Sequence, residues 1–241
     1  MLGIIGGTGL NTLPDLSEVE SLEVDTPWSP TPVVVTRGSY FGSPVVFLPR
    51  HGLGHRLPPH RVNYRANIAA LQEAGAKRVI GIAAVGGIRA DMEPATLVLP
   101  HDLIDLTWGR QHSFCDAESD NVMHIEFAPP YDPRLRQDLS AAAQTAEVDV
   151  ISDGVHAVTQ GPRLETAAEI EMLRRMGADI VGMTGMPEAA LAKEAELPYA
   201  CLAMVVNWAA GLGHGGIHDE IAECIDRGRS QVLRVLAAVA G

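Results

Sequence analysis

Short apolar runs alternate with amphipathic stretches along the whole chain. Several of the runs are continuously apolar, which is typical of strands that are covered on both faces of a sheet. The predicted strands are Leu2–Ile5, Val33–Thr36, Val45–Leu48, Val79–Val85, Thr96–Leu99, Ile180–Met183 and Ala200–Val206.

Helical patterns fill the intervals between these runs. Such alternation predicts an α/β protein with a central mixed or parallel sheet flanked by helices. No linker, repeat or shift in composition divides the chain, so we expect one domain over residues 1–241, with residues 105–131 as its least regular part. The predicted helices are Tyr64–Glu73, Pro133–Ala146, Leu164–Met176, Met186–Ala195 and Asp219–Ala238.

Composition and charge narrow the class of partner. The chain has 241 residues, of which 46% are hydrophobic, and this is enough to bury one sizeable core. Its formal net charge is −12 and no run of Lys or Arg interrupts the acidity. Nucleic acids and anionic membranes attract proteins of the opposite sign. We therefore expect a small-molecule ligand, and any anion must be held by local groups.

The cysteines and the N-terminal residues indicate the cellular compartment in which the protein works. Cys115, Cys201 and Cys224 are odd in number and share no metal-binding or redox spacing, which fits a reducing compartment. The N-terminus has no basic segment followed by a long apolar one, and no apolar run reaches the roughly 20 residues that span a bilayer. These features predict a cytoplasmic protein.

A glycine-rich turn, Gly6-Gly7-Thr8-Gly9, follows the first predicted strand. Its backbone N–H groups and the Thr8 hydroxyl could surround an anion, although a tight turn between a strand and a helix has the same pattern. Thr12 stands where a dinucleotide-binding fingerprint has its third glycine. The turn therefore favours a single phosphate over a dinucleotide.

Arg50 and His51 follow another predicted strand, within Leu48-Pro49-Arg50-His51-Gly52. An arginine beside a histidine at a strand end offers several hydrogen bonds to an oxyanion. His55 and His60 lie close by in the sequence, and three neighbouring histidines also suggest a metal site. No Cys or acidic residue nearby would complete the set of ligands. Anion binding and an ordinary surface loop remain the two main interpretations.

Glu165 lies in Thr159-Gln160-Gly161-Pro162-Arg163-Leu164-Glu165-Thr166, directly after a Gly-Pro pair and within the first predicted turn of a helix. A carboxylate there could stabilise the helix N-terminus. It could equally accept a hydrogen bond from a ligand. The pattern by itself leaves both roles open.

Asn207 directly follows the last predicted strand, Ala200–Val206, and Met183 is the final residue of the predicted strand before it, Ile180–Met183. A buried asparagine needs partners, and its amide offers both a donor and an acceptor to the edge of a heterocyclic base. A turn residue is the alternative for Asn207, and core packing is the alternative for Met183. The chain contains no G-x-S-x-G motif, which is the motif that would indicate a serine hydrolase of the α/β-hydrolase type.

Taken together, these segments resemble the trimeric purine nucleoside phosphorylase and methylthioadenosine phosphorylase family, over essentially the whole chain. The resemblance implies a pentosyltransferase with the nucleoside phosphorylase fold, which uses phosphate as co-substrate and needs no metal or organic cofactor. It is carried by the glycine-rich turn, by Pro49-Arg50-His51-Gly52, Val62-Asn63-Tyr64-Arg65-Ala66-Asn67 and Gly161-Pro162-Arg163, and by Met183-Thr184-Gly185-Met186-Pro187-Glu188 and Ala192-Lys193-Glu194-Ala195.

The resemblance also implies roles for individual residues. Phosphate would contact Thr8, Arg50, His51, Ala84 and Thr184. The ribose would pack on Met183, the purine would lie near Leu164, and His124 lies in the segment that reaches a neighbouring subunit's 5′ pocket in this family.

The chain differs from methylthioadenosine phosphorylases at positions that would contact the purine, and these differences indicate which purine it binds. Those phosphorylases carry Asp-x-Asp where this chain has Asn207-Trp208-Ala209, and they lack a carboxylate at position 165. Glu165 and Asn207 resemble the pair used by phosphorylases of 6-oxopurine nucleosides. Hypoxanthine and guanine offer N1–H to Glu165, and their O6 and N7 can accept from Asn207. Adenine has no N1–H, so Glu165 would face a lone pair at a cost of a few kcal/mol.

The sugar end of the substrate is less constrained. The overall resemblance is closer to the methylthio branch, whereas His218 could lie where nucleoside phosphorylases place a histidine near the 5′-hydroxyl. We expect S-methyl-5′-thioinosine as the substrate. Inosine or guanosine is the first alternative, and methylthioadenosine is a less favoured one. An NAD-dependent dehydrogenase, suggested by the glycine-rich turn, and a non-catalytic nucleoside-binding module are the competing classes.

Overall fold

The computed structural model describes residues 1–115, 122–213 and 217–241, with the backbone alone for residues 217–223. The helices of this part are α1 (Tyr64–Glu73), α2 (Pro133–Thr145), α3 (Ala167–Arg175), α4 (Gly185–Glu194) and α5 (Ile217–Ala240). The strands are β1 (Leu2–Gly6), β2 (Leu16–Val24), β3 (Val33–Tyr40), β4 (Ser43–Pro49), β5 (Arg78–Gly87), β6 (Leu97–Val98), β7 (Asp102–Asp105), β8 (Val150–Ile151), β9 (Val155–Val158), β10 (Ile180–Gly182) and β11 (Tyr199–Trp208).

Every predicted strand coincides with an observed one, but the sequence did not predict β2, β7, β8 and β9. The reason is clearest for β2, which among the described strands pairs with β3 alone and is largely exposed, so its residues are mostly polar. The other three contain four residues or fewer. A continuous apolar run identifies a strand that is buried on both faces. Strands that are short or lie at the edge of a sheet need not contain such a run, so this criterion does not detect them.

The strands form one mixed sheet around β5. The order across it is β2-β3-β4-β1-β5-β10-β9-β7, while β11 lies along the other edge of β5 and continues to β6 and β8. β1 and β11 run parallel to β5, and β10 runs antiparallel to it. The predicted α/β fold with a central mixed sheet is confirmed.

A gap in the pairing of β5 determines where a ligand can bind. On one edge β1 accompanies β5 only as far as Gly81, and β10 approaches from the opposite direction and pairs only with Gly86 and Gly87. Residues 82–85 therefore have none of the described strands beside them on that edge. The carboxyl ends of β1 and β10 meet at this gap, which is the kind of position where open α/β sheets bind ligands.

Two apolar layers hold the sheet. Side chains along β1, β5 and β11 alternate between them, as Ile4 and Ile5 do. One layer contains residues of α1 and α4, such as Leu71 and Leu191, and the other contains residues of α2 and α5, such as Leu139 and Val235. Each fully buried side chain of this size contributes about 1.5–3 kcal/mol. No helix in the described residues is long and apolar enough to cross a membrane.

Candidate active site

A cavity of about 420 Å³ opens at the gap beside β5. Its walls come from the loops after β1, β4, β9 and β10 and from the end of β11. Carboxyl ends of these strands converge here, so residues that are distant in sequence share one space. The predicted site residues that line the cavity are Thr8, Arg50, His51, Ala84, Leu164, Glu165, Met183, Thr184, Asn207 and Ala209.

Arg50 is only 2% exposed and is held by a two-pronged ion pair. Its Nε and Nη2 donate to the two carboxylate oxygens of Glu188, each at 2.7 Å. Its Nη1 donates at 2.7 Å to the carbonyl of Ile82, which lies in the unpaired part of β5. Burial opposes the charge of Arg50, but Glu188 outweighs burial and raises the pKa of the guanidinium above its usual value. A fixed cation thus lines the cavity.

The close approach around Arg50 depends on small neighbours. A Cβ at position 7 would lie 2.6 Å from both Arg50 Nη1 and the Ile82 carbonyl oxygen, so Gly7 is required there. Tyr199 donates from its hydroxyl to Glu188 at 2.7 Å and completes the pair from the other side. Glu188 belongs to one of the motifs that carry the family resemblance, but no role was predicted for it.

His51 faces the cavity as a neutral imidazole. Its Nδ1 lies 2.7 Å from the carbonyl oxygen of Leu57. A carbonyl can only accept, so Nδ1 carries the proton and Nε2 presents a lone pair. Burial, with the charge of Arg50, lowers the pKa of His51 to about 4. His51 can therefore accept a hydrogen bond from a protonated oxygen of an anion.

Thr184 lies at the N-cap of α4 and is 8% exposed. Its side chain makes no capping hydrogen bond, so its hydroxyl is available to a ligand. Met186 has non-helical backbone angles and Pro187 has no N–H, so this position offers a ligand the Thr184 hydroxyl rather than a regular helix N-terminus. Thr184, Arg50 and the half-buried Thr8 together form a region suited to an oxyanion.

Glu165 lies outside the helix that the sequence predicted for it. α3 begins at Ala167, with Thr166 as N-cap, and the carboxylate that completes the capping box is Glu169. The prediction of Glu165 in the first helical turn was therefore wrong. Glu165 instead lines the cavity and accepts a hydrogen bond of 2.6 Å from the hydroxyl of Thr159. This bond to one carboxylate oxygen leaves the other oxygen for a ligand.

Asn207 reaches the cavity because β11 is irregular at its end. Val205 pairs with Val85 and Asn207 with Gly86, so Val206 is an extra residue and forms a bulge. Asn207 is 6% exposed, and its Nδ2 donates to the carbonyl of Trp208 at 2.6 Å. One amide hydrogen and the amide oxygen remain for a ligand.

The other two predicted residues, His124 and His218, differ in what the structure describes of them. His124 is exposed and does not line the cavity within the chain, and the side chain of His218 lies outside the described residues. His55, Arg56 and Leu57 line the cavity although no role was predicted for them. The described residues hold no group of three or more His, Cys, Asp or Glu side chains that could bind a metal ion.

Comparisons with known proteins agree with this geometry. A family model described as "Phosphorylase superfamily" matches residues 1–240. A protein of Xanthomonas campestris pv. campestris named "Probable S-methyl-5'-thioinosine phosphorylase" is 53% identical over 212 residues, which are 88% of this chain and 85% of the relative. A Thermococcus kodakarensis protein named "Probable 6-oxopurine nucleoside phosphorylase" is 41% identical, over 98% of this chain and 90% of the relative.

A solved structure is similar over almost the whole chain. The methylthioadenosine phosphorylase from Schistosoma mansoni in complex with adenine superimposes with a TM-score of 0.92, at 32% identity, over 99% of this chain and 90% of that one. The family resemblance inferred from the sequence is thereby confirmed. Because a family model covers residues 1–240 and relatives of 41–53% identity cover most of the chain, this chain belongs to the phosphorylase superfamily, as an enzyme of the nucleoside phosphorylase type.

Proposed function

We propose that this protein splits S-methyl-5′-thioinosine with phosphate into hypoxanthine and S-methyl-5-thioribose 1-phosphate. The observation that carries the proposal is that Glu165 and Asn207 line the same cavity as Arg50, His51 and Thr184. One part of the cavity thus suits an oxyanion, and another offers a carboxylate and an amide to a purine. The names of the Xanthomonas and Thermococcus relatives support the same class of substrate.

The base-side groups favour a 6-oxopurine. Thr159 occupies one oxygen of Glu165, and the other can accept N1–H of hypoxanthine. The remaining N–H of Asn207 can donate to O6 or N7. The similar Schistosoma structure contains adenine, which presents a lone pair at N1 where hypoxanthine presents the N1–H that Glu165 would accept.

The course of the reaction follows from the arrangement of charge. As the glycosidic bond lengthens, the sugar becomes positive and the purine becomes negative. Phosphate held by Arg50, Thr8 and Thr184 lies against the anomeric carbon, forms the new C–O bond and stabilises the positive sugar. Glu165 and Asn207 hold the departing purine. Catalysis is then mainly positioning and electrostatic stabilisation, which together can supply a large part of a rate enhancement.

The 5′ substituent is proposed from apolar surface and from similarity. Leu57, Pro58 and Pro59 contribute an apolar stretch to the cavity wall. A methylthio group gains free energy from contact with such a surface, at about 0.8 kcal/mol per buried CH₂-sized group, whereas a hydroxyl needs a hydrogen-bond partner. Inosine or guanosine phosphorolysis is the second candidate.

The wider setting is also part of the proposal. Residues 1–241 would form one domain that works in the cytoplasm as a homotrimer, in which the segment with His124 reaches the 5′ pocket of a neighbouring subunit. Inorganic phosphate is a co-substrate and no cofactor is required, so activity should survive treatment with a chelator.

The test is phosphate-dependent release of the purine base from four nucleosides at equal concentration. S-methyl-5′-thioinosine should lead inosine and guanosine by about tenfold, and methylthioadenosine should be inert. A lead for inosine or guanosine would support the second candidate. A lead for methylthioadenosine would contradict the role given to Glu165 and Asn207. Release without phosphate would contradict phosphorolysis itself.

Replacing Asn207 with aspartate should weaken turnover of the 6-oxopurine substrate and admit a 6-amino purine. The new carboxylate cannot donate to O6, but it can accept from an exocyclic amino group. We expect kcat/KM for S-methyl-5′-thioinosine to fall about tenfold or more, with a gain for methylthioadenosine. Unchanged kinetics with both substrates would contradict the proposal that Asn207 contacts the purine.

A further inference from the structure

We propose that Arg110 is a positioning residue that fixes the loop bearing Glu165 relative to the loop bearing Met183 and Thr184. The two loops hold the purine and the phosphate in the function proposed above, on which this inference rests. Arg110 is not among the residues that line the cavity. It acts through the backbone of the residues that do, and thereby sets the alignment of the leaving purine with the attacking phosphate.

The first set of contacts joins Arg110 to the loop after β9. Nη2 donates to the carbonyl of Gln160 at 2.7 Å and lies 3.3 Å from that of Thr159. Nε donates to the side-chain oxygen of Gln160 at 3.2 Å, and the same oxygen accepts from the backbone of Trp108 at 3.1 Å. This loop carries the hydroxyl of Thr159, which orients Glu165.

The second set joins the same guanidinium to the loop after β10. Nη1 donates to the carbonyl of Met183 at 2.8 Å and also to that of Met186. Met186 has an extended backbone, with φ −119° and ψ 139°, so its carbonyl does not follow the helical direction of α4. Between these two carbonyls lies Thr184, the proposed phosphate contact.

A third contact ties Arg110 to the start of α1. Nη1 lies 3.3 Å from the hydroxyl of Tyr64, and the guanidinium carbon is 5.5 Å from the centre of the Tyr64 ring. One side chain therefore links the loop after β9, the loop after β10 and the start of α1. A planar fork of five N–H donors is suited to this, whereas an ammonium group with three donors cannot reach the same acceptors.

Within the described part of the chain, the charge of Arg110 has no close counter-ion. The side chain is 9% exposed, and no carboxylate in the described residues forms an ion pair with it within 4.0 Å. Burial lowers the pKa of its guanidinium, only partly offset by Tyr64 and Asp105. A buried cation is expensive unless hydrogen bonds compensate it. Here neutral oxygens from the two site-bearing loops do so, which is the arrangement expected of a group that fixes backbone geometry.

The consequence for catalysis is alignment across the anomeric carbon. Purine and phosphate must be held on opposite sides of the sugar, and a shift of about 1 Å between such groups can cost about a hundredfold in rate. Loosening the two loops relative to one another leaves each set of ligand contacts in place. It should therefore impair the chemical step more than the binding of either ligand alone.

The experiment compares Arg110→Lys and Arg110→Met with Arg136→Met. Arg136 is the matched control because it also donates to two backbone carbonyls, those of Leu99 and Ser152, and it does not line the cavity. We expect both Arg110 variants to lose about 30- to 100-fold in kcat. Their dissociation constants for inorganic phosphate alone and for hypoxanthine alone, measured by calorimetry, should stay within about threefold of wild type. Arg136→Met should keep wild-type kcat.

Each other outcome overturns the inference. If the Arg110 variants keep kcat within about threefold, Arg110 does not position the loops. If affinity for each ligand falls as steeply as kcat, or if neither variant folds, its role is general stabilisation. Release of no base by the wild-type enzyme would instead refute the proposed function. That failure is separate, because the binding measurements on the variants do not require turnover.

Discussion

Replacing Glu165 with alanine is expected to lower kcat/KM for S-methyl-5′-thioinosine about a hundredfold or more. The variant loses an ionised acceptor for N1–H of the purine, a contact that strengthens as the leaving base gains negative charge. A lost charge-assisted hydrogen bond of this kind costs on the order of 3 kcal/mol. Steady-state release of hypoxanthine measures the effect.

Two further variants sharpen this prediction. Glu165→Gln should lose less than the alanine variant, because its amide oxygen still accepts from N1–H. It should also gain some activity with methylthioadenosine, because its amide N–H can donate to N1 of adenine. Glu171→Ala is the control, since Glu171 is an exposed carboxylate of α3 that pairs with Arg174 and Arg175. If the alanine variants at positions 165 and 171 behave alike, Glu165 has no role in catalysis.

Replacing Glu188 with glutamine should destabilise the protein by about 3 kcal/mol, because it leaves the charge of Arg50 buried without its partner. Both side chains of this pair are 1% exposed, so water cannot compensate the loss. The free energy of unfolding, from urea titration, gives the effect. Inorganic phosphate should raise the midpoint of unfolding more in the variant than in wild type, because it can supply the missing negative charge.

The control for this variant is the same substitution in an exposed pair. Glu20 accepts from Arg37 at 2.6 Å with both side chains roughly half exposed, and Glu20→Gln should change stability by less than about 1 kcal/mol. Equal effects of the two substitutions would show that burial does not decide the strength of the Arg50–Glu188 pair. A phosphate effect no larger than that of wild type would place the anion away from Arg50.

Much of the fold could be predicted from the sequence because its central strands are buried on both faces. β1, β5 and β11 are continuous apolar runs, and their positions in the chain coincide with the predictions. Parallel strands bring their carboxyl ends to one edge of a sheet, so the ends of these runs were the places to search for a site. Arg50, His51 and Asn207 lie at such ends and line the cavity.

Hydrophobic periodicity was insufficient where a role depends on a boundary or a bulge. Periodicity predicted a helix from Leu164, whereas the capping-box spacing of Thr166 and Glu169 indicates a start at Ala167. The structure has this later start, with Glu169 at the cap, and Glu165 lines the cavity. Likewise, the bulge at Val206 directs Asn207 into the cavity, and no propensity in the sequence indicates it.

The sequence by itself determined the fold class, the family and the chemical types that line the cavity, because these follow from local periodicity and short motifs. The tertiary structure decided which of these groups meet. Arg50 and Glu188 are 138 positions apart, and Arg110 reaches the Met183 carbonyl across 73 positions. The end of β1 and the end of β10 leave a gap beside β5 only once the sheet has formed. Contacts of this kind depend on the packing of distant segments, which the local pattern of residues does not encode.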